Sequence, residues 1–165
     1  MQTALEAFKS IEKKAESSTP SVRRIERDEI GQGVRQGDVY LIRLGAATKD
    51  APEVLALVSA IRKSAKPGET TLKSLPETIG EPTRVRQVAV GDTVGSRHVA
   101  EGSLTIYAAP AGAHALVGPI VVAFERWRLT HPEHGHFDLG AGCYQVLYQR
   151  DFKGERANEI RRVAD

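Results

Sequence analysis

Short runs in which apolar and polar positions alternate follow one another along the second half of the chain, separated by glycine and proline. Successive strands of this kind are typical of an antiparallel sandwich or a small barrel. In the last run, Tyr144, Val146 and Tyr148 share one face, while Gln145 and Gln149 fall on the other. These runs predict strands at residues 84–90, 104–108, 119–130, with a bulge in this long run, and 143–152. An earlier run, residues 39–44, is apolar on both faces at its centre and predicts a core strand.

Helical spacing appears first at the N-terminus, where Leu5, Phe8, Ile11 and Ala15 form a narrow apolar stripe and charged residues cover the opposite face. The helix should end within residues 17–20, since Pro20 disfavours helical geometry in the residue before it. Two interpretations stay open for this segment. It docks on a neighbouring subunit, or it packs on its own domain.

A second helix is predicted from Ala51 to Ser64, with Asp50 as N-cap and Pro52 in its first turn. Its apolar stripe consists of Val54, Leu55, Val58 and Ile61. The predicted fold is therefore mainly β, an antiparallel sandwich or small barrel with an N-terminal helix and one inserted helix, and α+β overall.

The chain divides into three parts at this level. Residues 1–20 form an amphipathic helical arm, 21–155 a single β-rich domain, and 156–165 a charged C-terminal tail in which a short helix can form. Within the domain, residues 21–36 read as a solvated connector. The stretch 66–82 reads as an exposed loop, and so long a connection is unusual unless it binds something or lies against a partner.

Composition narrows the class of protein. The 165 residues are 41 % apolar and 27 % charged, an ordinary globular balance, and a net charge of +2 does not indicate a nucleic-acid partner. Arginines at 84, 86, 97, 126, 128 and 150 could form a basic sheet face, but the aromatic residues that stack on bases are missing from that set. The N-terminus carries charges where a signal peptide would be apolar, and no apolar run is long enough to span a bilayer. We therefore expect a cytoplasmic or virion protein without membrane contact.

Candidate chemistry concentrates in a histidine-rich turn. His131, Glu133, His134 and His136 offer imidazole and carboxylate ligands, and His98 could join them from a neighbouring strand. Such a set suits zinc, iron, nickel or manganese, in a cupin-like arrangement if the strands close a barrel. The opposing interpretation is a surface turn whose imidazoles cap strand ends or meet another subunit, in which case no cofactor is needed.

Other reactive side chains have simpler interpretations. Ser96 lies near His98 but lacks the Gly-x-Ser-x-Gly elbow of a nucleophilic serine. Cys143, the single cysteine, excludes an intrachain disulfide framework and is predicted to be buried rather than reactive. Trp127 is predicted to lie in the core or at an interface, with Arg126 and Arg128 on the opposite face.

Several of these segments together resemble a pattern in short uncharacterised proteins of bacteria and their phages. The segments are Gly37-Asp38-Val39, Gly95-Ser96-Arg97-His98, His131-Pro132-Glu133-His134 and the run from Leu139 to Phe152. In that pattern Gly-His-x-His precedes His-x-Glu-His, a Pro-x-Gly-x-Tyr bend and a Gln-Arg-Glu-Tyr end. This chain departs from it at Ser96, Gly140 and Phe152, and the loss of a histidine at position 96 weakens a metal site. The resemblance implies no particular activity.

Two functions follow as expectations. The first is a non-enzymatic assembly protein, a homo-oligomer or part of a larger assembly such as a phage capsid, decoration or cement-like protein. It rests on the separable N-terminal arm, the long loop and the lack of a coherent catalytic set. The second is a metal-binding cupin-like β-barrel protein or enzyme that uses His98, His131, Glu133, His134 and His136.

Overall fold

Two large β-sheets and one helix of several turns form most of the described part of the chain. The structure is a computed structural model, and it describes residues 21–25, 29–90, 97–152 and 160–162. The helices are α1 (Ala51–Ser64) and the single turn α2 (Thr70–Lys73). The strands are β1 (Val22–Arg24), β2 (Gly33–Gln36), β3 (Val39–Gly45), β4 (Pro82–Thr83), β5 (Gln87–Val90), β6 (Arg97–Glu101), β7 (Leu104–Tyr107), β8 (Val117–Ala123), β9 (Trp127–Thr130), β10 (His136–Leu139), β11 (Gly142–Tyr148), β12 (Arg150–Phe152) and β13 (Ile160–Arg162).

The strands are distributed over two large sheets and a small one. One sheet has the order β1-β10-β9-β6-β5, the other β2-β3-β11-β8-β7-β4, and β12 pairs with β13. Neighbouring strands are antiparallel except β1 and β10, which are parallel. The sheets are therefore open, with β1 and β5 at the edges of the first and β2 and β4 at the edges of the second.

The two large sheets bury their facing sides against each other in a sandwich-like arrangement. The first sheet contributes Trp127, Leu129 and Leu139 to the shared core. The second contributes alternate residues of its central strands, as the period of two in a strand requires. These residues include Val39, Leu41, Ile106, Val121, Ala123, Tyr144, Val146 and Tyr148. The predicted shared face of Tyr144, Val146 and Tyr148 is confirmed.

The other face of the second sheet is covered by α1. Val54, Val58 and Ile61 of this helix are buried in a second cluster that includes Leu44 and Cys143. The central strands of this sheet are thus apolar on both faces, which agrees with the run of apolar residues at 39–44. The predicted bounds of the helix, 51–64, are confirmed.

Some predicted elements differ from the structure. The long strand at 119–130 is two strands, β8 and β9, which belong to different sheets and are separated by the bend at 124–126. Strand 143–152 divides into β11 and β12, and only 87–90 of the segment 84–90 is a strand. Both large sheets are open in the described ranges, so a small barrel is not observed there, whereas the mainly β class is.

Three further segments, two predicted as irregular and one as a possible helix, also differ from the prediction. The connector 21–36 contains β1 and β2, and the loop 66–82 contains α2 and a buried Leu75 that packs in the cluster with α1. In the tail, residues 160–162 form β13 rather than a helix. The predicted N-terminal helix lies outside the described residues, so α1 is the one predicted helix that can be compared. Among the helices of the described ranges, none has the length and apolarity to cross a membrane.

Candidate functional site

The hairpin formed by β2 and β3 carries two buried polar side chains at its turn. Gln36 ends β2 and pairs with Val39, so Gly37 and Asp38 form a two-residue loop. Gly37 has a φ of 58°, and a glycine at the first loop position suits the tight hairpin turns that match strand twist. The turn places Gln36 and Asp38, both almost fully buried, beneath the first sheet.

Gln36 joins the two large sheets through three hydrogen bonds. Its amide nitrogen donates to the carbonyl oxygen of Leu129, at 3.1 Å, and to that of Gly135. Both partners can only accept, so the amide oxygen must be the atom that faces His98 Nδ1, at 2.9 Å. Gln36 therefore connects β9, the histidine turn and β6 to the edge strand of the opposite sheet.

This orientation fixes the protonation of one histidine nitrogen. Because the Gln36 oxygen only accepts, His98 Nδ1 carries a hydrogen and donates it. The other ring nitrogen, Nε2, lies 3.3 Å from Oδ1 of buried Asp38. That oxygen makes no directed hydrogen bond among the described residues, so its contact with Nε2 is mainly electrostatic. The His98 ring therefore lies between an amide oxygen that accepts from Nδ1 and a buried carboxylate that faces Nε2.

His131 stabilises the turn that follows it. Its Nδ1 accepts hydrogen bonds from the backbone N–H groups of Glu133 and His134, each at 3.0 Å. The ring stacks on that of His134, with centroids 4.3 Å apart, and lies 4.4 Å from the ring of His98. The rings of His98 and His134 are 6.2 Å apart, so the three ring centroids form a compact triangle, in which His98 and His131 are buried and His134 is exposed.

Three of the five predicted metal ligands therefore lie together. They are His98, His131 and His134, and we call them, with Gln36 and Asp38, the histidine cluster. Glu133 is exposed on the turn, and His136 is half-buried at the start of β10, where it pairs with Val22. Within the ranges that the structure describes, no group of three or more His, Cys, Asp or Glu side chains is arranged to hold a metal ion. The metal site stays a prediction.

A second feature lies at the far edge of the sandwich. The chain passes from β4, at the edge of one sheet, to β5, at the edge of the other, and an apolar cleft of about 280 Å³ opens between them. Its lining consists of Thr83, Val85, Gln87, Val88, Ala89, Ile106, Ala108, Ala109, Pro119 and Tyr148. We call it the edge cleft. Val85 stands at its rim with 61 % of its surface exposed.

Cys143, Arg126 and Arg128 have structural surroundings that explain them without a functional site. Cys143 is fully buried beside α1, as predicted, and burial raises the pKa of its thiol to about 12. Arg126 lies 4.0 Å from the carboxylate of Asp138. On β9, Arg128 is opposite Asp138 on one neighbouring strand and Glu101 on the other, so acids of adjacent strands flank it. Trp127 is buried in the core, which confirms its predicted place.

Comparisons of the chain with protein-family models, with curated proteins and with solved structures found no match. Two features of the described residues are candidates for function. The histidine cluster joins the two sheets from within, whereas the edge cleft opens to solvent. They share no residue, so each can be altered without the other.

Proposed function

We propose that the chain is a non-enzymatic structural protein that acts through subunit contacts in a larger assembly. The observation that carries this proposal is the edge cleft with Val85 at its rim. Exposed apolar surface in a concave site, bordered by strands with unpaired edges, is typical of a surface that another protein covers.

The position of the cleft favours a protein partner. The cleft opens to solvent, with a volume of about 280 Å³. Both strands that border it, β4 and β5, pair on one side only among the described residues. A partner can therefore insert a few apolar side chains and also meet the strand edges.

The contacts within the histidine cluster support the same proposal. Gln36 and Asp38 surround His98, and His131 Nδ1 is used by the backbone of its own turn. Groups held in this way join the two sheets, which is the structural interpretation of the turn. The specific assembly that we propose is a phage particle, with the chain as a capsid, decoration or cement-like protein. That step rests on the resemblance of the sequence to proteins of bacteria and their phages.

The proposal is tested by sedimentation velocity on the full-length chain and two charge variants. Val85→Asp places a carboxylate at the rim of the edge cleft and should weaken association at least tenfold, since losing a buried valine contact costs about 1.5–3 kcal/mol. Ile30→Asp is the matched control, because Ile30 is equally exposed, at 64 %, and does not line the cleft. A wild-type chain that sediments as a 17.9 kDa monomer at all concentrations would overturn the proposal. An equal effect of the two substitutions would also do so.

The alternative is a metal-binding protein that uses the histidine cluster. The proximity of the rings of His98, His131 and His134 is the observation that favours it. Elemental analysis of the untagged chain separates the two proposals. About one transition metal per chain, lost in His131→Ala and His134→Ala, would support the alternative.

A further inference from the structure

We infer that a pocket beside the edge strand β2 binds a small organic acid, a molecule with an apolar body and a carboxylate. The pocket has a volume of about 270 Å³ and is lined by Gly33, Tyr40, Ile42, Leu116 and residues 147–149. We call it the β2 pocket. It shares only Tyr148 with the edge cleft, so binding of an acid there does not require the proposed assembly.

The β2 pocket lies on the face of the second sheet that α1 covers only in part. Gly33 pairs with Ile42, and Leu147 pairs with Tyr40, so these four positions share one face of the sheet. Ile42 and Leu147 belong to the apolar cluster that α1 helps to bury. No residue of α1 lines the pocket, however. The helix therefore leaves an apolar hollow at this end of the face.

Gly33 keeps the hollow open. A Cβ at this position would lie 3.6 Å from Cγ1 of Ile42, so a side chain would extend over the same face and occupy part of the pocket. An apolar cavity of about 150 Å³ is large enough to hold benzene. The volume of about 270 Å³ therefore suits a single ring that carries a short chain.

Arg35 places a positive charge at the rim of the β2 pocket. It pairs with Tyr40 across the hairpin, and its guanidinium lies 5.5 Å from the centroid of the Tyr40 ring. Its Nε donates a hydrogen bond to the carbonyl oxygen of Gly37, at 2.6 Å, and its Nη2 donates to the amide oxygen of Gln149, at 2.7 Å. These contacts hold the guanidinium between Tyr40 and Gln149, which both line the pocket.

The charge of Arg35 is not balanced by a carboxylate within the described ranges. Both of its hydrogen-bond acceptors are neutral, and its Nη1 makes no hydrogen bond to a described residue. A guanidinium binds a carboxylate through paired N–H donors, and here it is already oriented. An acid whose apolar body fills the pocket can place its carboxylate on Arg35. The site thus favours molecules that carry both parts.

The experiment is a ligand-observed NMR titration of the full-length chain with phenylpropionate, with its neutral amide and with acetate. Phenylpropionate should bind at one site with a Kd of about 1 mM or below, as suits a ligand of about ten non-hydrogen atoms. The amide should bind about tenfold more weakly, because it keeps the apolar contacts and loses the charge-assisted hydrogen bonds. Acetate should show no saturable binding, since it lacks the apolar body.

Substitution of the arginine tests the role of the charge. Arg35→Gln should weaken binding of phenylpropionate about tenfold, to the affinity of the amide. Binding of the amide itself should stay at its wild-type level, which shows that the pocket is intact in the variant. Arg128→Gln is the matched control, because it removes an exposed arginine from the other large sheet and should bind both ligands as the wild type does.

Filling the pocket tests the role of the apolar hollow. Gly33→Val should abolish binding of the acid and of the amide, because the added side chain takes up part of the space. Gly140→Val is the matched control. Neither glycine has a positive φ, and a Cβ at position 140 meets no atom within 4 Å, so both positions accept a side chain without strain. The control should bind both ligands normally.

A wild type that binds no phenylpropionate, or that binds the acid and the amide equally, would overturn the inference. So would a control that loses as much affinity as its matched variant. If the wild type binds no acid and Gly33→Val lowers its mass in solution, a second copy covers the pocket instead. Failure of the proposed function is distinguishable, since a monomer of 17.9 kDa that binds phenylpropionate contradicts the assembly and leaves this site standing.

Discussion

The substitution Gln36→Met tests how the two sheets are held together. Methionine has a similar length and fills the same buried space, but it can neither donate nor accept the three hydrogen bonds of Gln36. The change leaves His98 Nδ1 without its acceptor and removes the donor from the carbonyl groups of Leu129 and Gly135. A buried polar group left unsatisfied costs about 1–3 kcal/mol. Since the carbonyl of Leu129 lies within a sheet, the expected loss is near the lower end for each group, about 3 kcal/mol in total.

The loss is measured by urea denaturation of the full-length chain. Val85→Asp is present in the parent and in each variant, so that association does not contribute to the measured stability. Gln32→Met is the matched control. Gln32 is exposed and its amide donates only to the nearby Glu29, so its loss should be below about 0.5 kcal/mol. A Gln36 variant as stable as the control would refute the interpretation of the histidine cluster as a connection between the sheets.

Three further predictions follow from the described contacts. Cys143 should resist thiol reagents at pH 8 in the folded chain and react on denaturation, because a pKa of about 12 leaves about one thiol in ten thousand as thiolate. Rapid labelling of the folded chain would contradict the burial of Cys143. Trp127→Ala should lower the free energy of unfolding by about 3–5 kcal/mol in urea titrations, since Trp127 lies in the core that both sheets share, and a loss below 1 kcal/mol would contradict that packing. Elemental analysis should find well under one transition metal per chain, and a stoichiometric metal would favour the alternative function.

The alternation of buried positions along the strands explains why the sequence predicted the buried faces but not the crossing between sheets. Val121 and Ala123 on β8, and Trp127 and Leu129 on β9, are all odd-numbered and all lie in the shared core. One continuous strand would show the same alternation, so the pattern cannot reveal that the chain crosses between sheets at 124–126. That bend contains neither glycine nor proline, and the usual signal of a strand end is therefore missing.

The histidine cluster was predicted only in part for a similar reason. Pro132 and Gly135 indicate a turn that carries His131 and His134, and His98 was a candidate from a neighbouring strand. Gln36 and Asp38 were missed because their role depends on the pairing of distant strands. The two-residue loop at Gly37-Asp38, between β2 and β3, was the available signal of a hairpin. Because residues 21–36 were predicted to be a connector, the strand that precedes this loop, and with it the hairpin, was not predicted.

The most direct test of the proposed assembly is the molar mass of the untagged full-length chain, measured by light scattering during size-exclusion chromatography over a hundredfold range of concentration. We predict a mass above 17.9 kDa that rises with concentration and falls towards 17.9 kDa in Val85→Asp. A mass of 17.9 kDa for the wild type throughout that range would contradict the proposal that this chain acts through subunit contacts.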